Sequence, residues 1–277
     1  MEHISSVHPS KIFGILFKLF LLVITLSLVA ISLDHYFKNI AVNHSIASSY
    51  TFRTYVVGMF DANGEKNIPT YFSFLNLALS AGLLFVIGKE VKESEKPRFY
   101  KRWYLLGLLF IFLALDELLM LHEVMGLPFI ALIKYFNQGN DIALVRFTGF
   151  IPYFLVLIIS SFYFLPWFLA LPRKTMISFV LAGSMLVFGA LGVEMIGELI
   201  IGVYGKYSLP YKIATNLEES FEMLGIIFFI KALLNHLKTI QDFITVRFDL
   251  RETDKRKVAG TVKEESLVIK RRSKHLI

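Results

Sequence analysis

Residues Trp103–Gly126 read WYLLGLLFIFLALDELLMLHEVMG. The stretch is long and apolar enough to lie in a bilayer, yet it holds Asp116, Glu117, His122 and Glu123. An ionisable side chain deep in hydrocarbon costs about 3 kcal/mol on insertion scales, so several in one span imply a cation, a proton or a polar cavity to meet them. Two later apolar stretches add Glu194, Glu198, Glu218, Glu219 and Glu222. An all-α, polytopic bundle of transmembrane helices around a polar interior meets both demands.

Composition points the same way. Of 277 residues, 55% are hydrophobic and 15% aromatic, mean hydropathy is +0.60, and the apolar residues fall in long blocks, as in an integral membrane protein. The formal net charge of +7 sits in short connections and in the tail, where basic residues set orientation. Membrane lipids are therefore the expected partners, and nucleic acid is not. A sequence without cysteine offers no disulfide, thiolate ligand, iron–sulfur cluster or cysteine nucleophile. Any metal has to be held by oxygen and histidine.

Blocks near the twenty or so apolar residues that cross a core of about 30 Å fall at 12–36, 68–88, 103–125, 146–171, 175–203 and 215–237. They predict six transmembrane helices in a domain over 1–237, followed by a polar, basic tail over 238–277. The first block ends in ISLDHYF, without a small-x-small cleavage pattern, and reads as a retained helix rather than a signal peptide. Lys89, Lys92, Lys96, Arg98, Lys101 and Arg102 crowd the second connection, and Arg173 and Lys174 the fourth. The positive-inside rule then puts both termini in the cytoplasm.

Residues 37–67 fall outside on this orientation. There SYTFRTYVVGMF has strand-like composition, DANGEKN carries an Asn63-Gly64 turn signal, and Pro69 is placed to open the second helix, together predicting a small extracytoplasmic cap. Trp103, Tyr104 and Trp167 fall near cytoplasmic span ends, where interfacial aromatics gather. LPFIALIKYF is too short to span and reads as interfacial or re-entrant. In the tail, ITVRFDL and SLVIKRR are candidate short strands.

Orientation converts to depth at 1.5 Å per helical residue. Asp116 then lies about 20 Å from the cytoplasmic end of its span, with Glu123 near the outer boundary. Glu194 and Glu198 fall toward the outer end of the fifth span, and Glu218, Glu219 and Glu222 in the outer turns of the sixth. Asp34 and His35 close the first span on that side, and Asn76 sits in the outer half of the second. At about 100° per residue Asp116 and Glu123 share a face flanked by Glu117 and His122, while Glu194/Glu198 and Glu218/Glu222 are i, i+4 pairs. Hard divalent cations want several oxygens, and histidine beside carboxylates suits manganese, iron or zinc. Asp116, Glu117, His122, Glu123, Glu194 and Glu222 are thus the candidate metal ligands. The di-iron bundle signature, Glu three residues before His, is not met, because position 119 is Leu.

Blander readings compete at several positions. Glu218 and Glu219 follow Thr215 and Asn216 with capping-box spacing, and acidic residues favour a helix's first turn. Glu198 and Glu123 can reach the outer interface, His122 can serve as a structural hydrogen-bonding residue, and Asp34-His35 reads as a polar helix end. Gly183, Gly189, Gly192 and Gly197 suit close helix packing better than phosphate binding. DANGEKN lacks the acidic spacing of an EF-hand and reads as a turn. There is no nucleotide loop, G-x-S-x-G or H-E-x-x-H.

Taken in order, FDANGEKNIPT (60–70), LDELLMLHE (115–123), ALGVEMIGE (190–198) and LEESFEMLG (217–225) resemble an uncharacterised family of bacterial multi-pass inner-membrane proteins. That family carries D-x-x-G-E-x-N-x-P-T, L-D-E-x-x-x-x-H-E and E-E-x-x-E-M-x-G elements. The resemblance spans residues 55–230. It implies a bacterial origin and a common fold, carries over no catalytic role, and adds Asp61, Glu65 and Asn67 to Glu198, Glu218 and Glu219 as secondary candidates. Three functions compete: a metal-dependent membrane enzyme on a lipid or envelope substrate, its metal activating water; a proton- or cation-coupled transporter; and a non-catalytic assembly or accessory protein whose acids form a packing network. The echo of LDE (115–117) in LEE (217–219) is too short to mark inverted repeats.

Overall fold

In hydrocarbon a chain can satisfy its backbone N–H and C=O groups only within the segment or across a closed sheet, and long apolar runs take the helical solution. The computed structural model describes residues 8–40, 52–94, 97–137 and 150–240. Every regular element among them is a helix. In chain order these are α1 (Pro9–Ile40), α2 (Phe52–Phe60), α3 (Ile68–Glu93), α4 (Tyr100–Leu119), α5 (Leu121–Met125), α6 (Leu127–Phe136), α7 (Phe150–Phe168), α8 (Arg173–Val187), a π-helical stretch Phe188–Val193, α9 (Glu194–Tyr204) and α10 (Leu209–Ile240).

Among the described residues four stretches are long and apolar enough to cross a membrane: Pro9–Tyr36, Ile68–Glu93, Arg173–Tyr204 and Leu209–Ile240. Pro152–Phe168 is a shorter apolar helix. α4 has 20 residues but carries Lys101, Arg102, Asp116 and Glu117. α10 is the axis of the bundle, with α1, α3 and the α8–α9 rod packed around it. Its Met223, Ile227, Ile230 and Leu233 are fully enclosed, as are Ala81, Leu84 and Ile87 of α3. Where lipid is as apolar as the side chains, van der Waals fit between helices has to hold them, and small residues permit it. Gly225 is such a point: a Cβ there would stand 2.7 Å from the Leu186 amide nitrogen and 2.9 Å from the Ala182 carbonyl oxygen.

Four expectations need correction. SYTFRTYVVGMF is not strand-like in the fold, because its second part, Phe52–Phe60, is helix α2, lying on α1. With no partner strand among the described residues, only a helix satisfies those backbone groups locally. The helix expected over 103–125 ends at Leu119, because Met120 takes the left-handed conformation (φ 56°, ψ 42°) and donates its N–H to the Asp116 carbonyl at 2.7 Å. Asp116 and Glu123 therefore belong to different helices, α4 and α5. α10 begins at Leu209 rather than near 215, with Pro210 in its first turn and Ser208 Oγ accepting the Tyr211 N–H at 3.4 Å. Thr215 and Asn216 are thus interior residues, and the capping reading of Glu218 and Glu219 falls. Finally, Trp103 and Trp167 turn inward. Their rings meet edge to face at 4.8 Å, and Trp103 stacks on His236 at 5.0 Å, burying aromatic area among helices rather than at a lipid–water boundary.

LPFIALIKYF forms the ten-residue α6, which buries none of its side chains. Pro69 stands in the first turn of α3 as expected. The candidate strands of the tail lie outside the described residues.

Candidate functional site

At one end of the bundle a polar seam joins α1, the turn Asp61–Asn67 and α10. Asn67 makes the turn: its Oδ1 accepts the Thr70 N–H at 2.9 Å, capping α3, while its Nδ2 donates to the carbonyls of Asp61, at 2.8 Å, and of Gly64. Ser27 Oγ, in the middle of α1, accepts the Ala62 N–H at 3.2 Å and Asn216 Nδ2 at 2.6 Å. One turn earlier on α10, Lys212 Nζ donates to Asp34 Oδ2 at 3.0 Å and to Asp61 Oδ2. Lys212 and Asp61 are buried. A buried ammonium is tolerated only when paired and hydrogen-bonded, and here two carboxylates do both.

The acids gather beside this seam. Glu219 lies nearly two helical turns beyond Lys212, on the same face of α10, whereas Glu218 and Glu222 face the α8–α9 rod. There the π-helical stretch rests directly on α10. A Cβ at Gly189 would come within 2.9 Å of both the Glu218 carbonyl oxygen and Glu222 Cγ, so only glycine allows this approach. The stretch hands on to Glu194, the first residue of α9.

Glu222 is within electrostatic range of Glu218, Glu117, Glu194 and Asp116. Glu219 senses Glu117, Glu222, Glu65 and Glu194, and Glu218 senses Glu194, Glu219, Glu198 and Glu117. Carboxylates from α4, α9, α10 and the 61–67 turn therefore share one region. Asp116 is buried at its edge and accepts a hydrogen bond from the Tyr153 hydroxyl of α7 at 2.8 Å. Two backbone irregularities flank the region, the left-handed Met120 just past Asp116 and Glu117, and the π-helical stretch just before Glu194. π-Bulges are frequent at functional sites.

Residues 19–237 match the family model described as Domain of unknown function (DUF8692). The chain belongs to this family. No curated protein and no solved structure matches it. The DUF8692 match encloses the whole seam and every acid named above.

Within this DUF8692 domain the candidate residues separate by role. Asp61 and Asn67 build the seam, and Glu65 is exposed at its rim. Asp116, Glu117, Glu194, Glu198, Glu218, Glu219 and Glu222 form the acidic region, all but buried Asp116 being half-buried. The side chains of His122 and Glu123 lie outside the described part. Among the described residues no three His, Cys, Asp or Glu side chains are placed to hold one metal ion. What the arrangement offers is a concentration of oxygen acceptors, with a phenol hydroxyl at its edge, in apolar surroundings. Such a region can attract a cation or exchange protons.

Sequence reasoning missed Lys212 and Tyr153. Lys212 carried a signal, since a lysine inside an apolar helix calls for an acidic partner. Its partners, however, lie 151 and 178 residues away in the chain. Tyr153 carried none, being one aromatic among many.

Proposed function

We propose that the protein is a bacterial multi-pass inner-membrane protein whose acidic region gathers a divalent cation and acts on a lipid or envelope substrate. The observation that carries this reading is the meeting of Asp116 and Glu117 of α4, Glu194 of α9, and Glu218, Glu219 and Glu222 of α10 in one apolar bundle. Carboxylates brought together in low dielectric call for a neutralising charge, and a divalent cation supplies it most compactly. In this reading Asp116, Glu194 and Glu222 close onto the cation as it binds, with His122 or Glu123 assisting, since no three described side chains are already placed to hold one ion. The cation polarises a water or a phosphoryl or carbonyl oxygen. Loop charges support six crossings, α4 and α7 joining the four longer stretches, with both termini cytoplasmic and the acids in the outer half.

A second reading, proton- or cation-coupled transport, draws on the Tyr153 hydroxyl, which donates directly to Asp116. Metal analysis of protein purified without chelators separates the two. Stoichiometric manganese, iron or zinc supports the metal-dependent enzyme, whereas metal-free protein with proton- or cation-driven flux in liposomes supports the transporter. A stoichiometric co-purifying partner with neither property would assign the chain to assembly.

A further inference from the structure

Next to the acidic region, α7 stands off from α4, α8 and α10 and leaves an apolar cavity of about 430 Å³ between them. α7 is fixed at both ends. At one end Tyr153 bonds Asp116. At the other, Trp167 meets Trp103 edge to face at 4.8 Å and the Arg102 guanidinium lies 5.3 Å from the Tyr163 ring centre. The cavity occupies the interval between these pins, and its size falls within the range of small-molecule sites.

The lining of the cavity ends close to the acidic region on each wall. Along α4, Leu113 lines the cavity and Asp116 lies less than one turn beyond it; along α7, Leu157 lines it and Tyr153 is about one turn away. On α10 the lining begins at Gly225, just past Glu222, and on α8 it ends at Val187, just before the π-helical stretch that rests on Glu222. Thus α4 and α10 change from apolar to acidic at one level, beside the Tyr153 hydroxyl of α7 and the π-helical stretch that follows α8. A ligand that fits both halves is amphipathic, with a polar head at the carboxylates and a hydrocarbon body between the helices.

We propose that this cavity seats one hydrocarbon chain of a membrane lipid, its headgroup held at the acidic region. This deepens the lipid-substrate reading above and rests on it. A single chain is the occupant of choice because the walls are almost wholly apolar and the surrounding medium supplies such chains. It enters past α7, whose Ile159 and Phe162 are exposed.

The protein carries its own reporter. It has two tryptophans; Trp167 lines the cavity and Trp103 packs on it. The full chain is reconstituted in phosphatidylcholine bilayers whose acyl chains are brominated, and tryptophan quenching is compared with that in unbrominated lipid. Gly183 lines the cavity, and a Cβ there meets nothing within 4 Å, so Gly183→Phe fills the space; Ser160→Leu fills it from α7. Strong quenching in the unmodified protein, largely lost in a folded cavity-filling variant, is the expected result. Weak quenching in the unmodified protein, or quenching undiminished in both folded variants, would overturn the proposal. Manganese binding measured on the same samples bears on the acidic region alone, so failure of the chain site is separable from failure of the cation reading.

Discussion

The hydroxyl of Tyr153 donates to Asp116 at 2.8 Å and ties α7 to the last turn of α4, beside the left-handed break at Met120. The bond joins two helices at the place where a carboxylate is buried. Tyr153→Phe removes it without changing shape and should destabilise the protein by about 1–3 kcal/mol. Thermal unfolding in detergent measures this. A melting temperature equal to that of the parent would show the bond to be dispensable.

Lys212 sits between Asp34 and Asp61 and ties α10 to α1 and the 61–67 turn. Lys212→Met leaves two carboxylates facing each other without their cation. A loss of about 3–5 kcal/mol is expected, as for other buried ion pairs broken from one side. Adding Asp34→Asn should restore part of it, and a double-mutant cycle reads the coupling. Simple additivity of the two substitutions would contradict the arrangement.

The packing of α8 on α10 depends on Gly225, where any side chain meets backbone atoms of Leu186 and Ala182. Gly225→Leu should cost about 1–3 kcal/mol by overpacking, whereas Gly183→Ala, facing open space, should leave the melting temperature within a degree or so of the parent. The contrast between two glycine sites in one helix pair is the measurement.

The long helices were legible because hydrophobic blocks of membrane-spanning length allow little else, and the acids stood out because charge in such a block is costly. The break at Met120 was not legible. LDELLMLHE holds neither glycine nor proline, so nothing local forbids a continuous helix. The start of α10 was legible in principle, since Ser208 and Pro210 make a cap and first turn. The hydrophobic block begins later, and the eye follows it. α2 misled through its Tyr-Val-Val content, which fits a strand only where a partner strand exists. Lys212 and its acids show the general difficulty: each was visible singly, and their pairing belongs to tertiary structure.

Orientation rests on loop charge. Cysteines introduced singly at Ser48 and Ser273, in a sequence that has none, should differ toward an impermeant thiol reagent applied to cells with a permeabilised outer membrane. Labelling at Ser48 and protection at Ser273 is expected. The reverse would invert the bundle and place the acids in the inner leaflet.

The central claim, that the acidic region binds a divalent cation, is tested most directly by manganese titration of chelator-free protein followed by thermal unfolding. Saturation at a hundredfold excess over Kd should stabilise the parent by about 2.7 kcal/mol. Asp116→Asn, Glu194→Gln and Glu222→Gln should each abolish that gain in protein that still folds. If the parent carries no metal and its melting temperature ignores manganese, zinc, calcium and magnesium alike, the cation reading is wrong and the same acids belong to proton exchange.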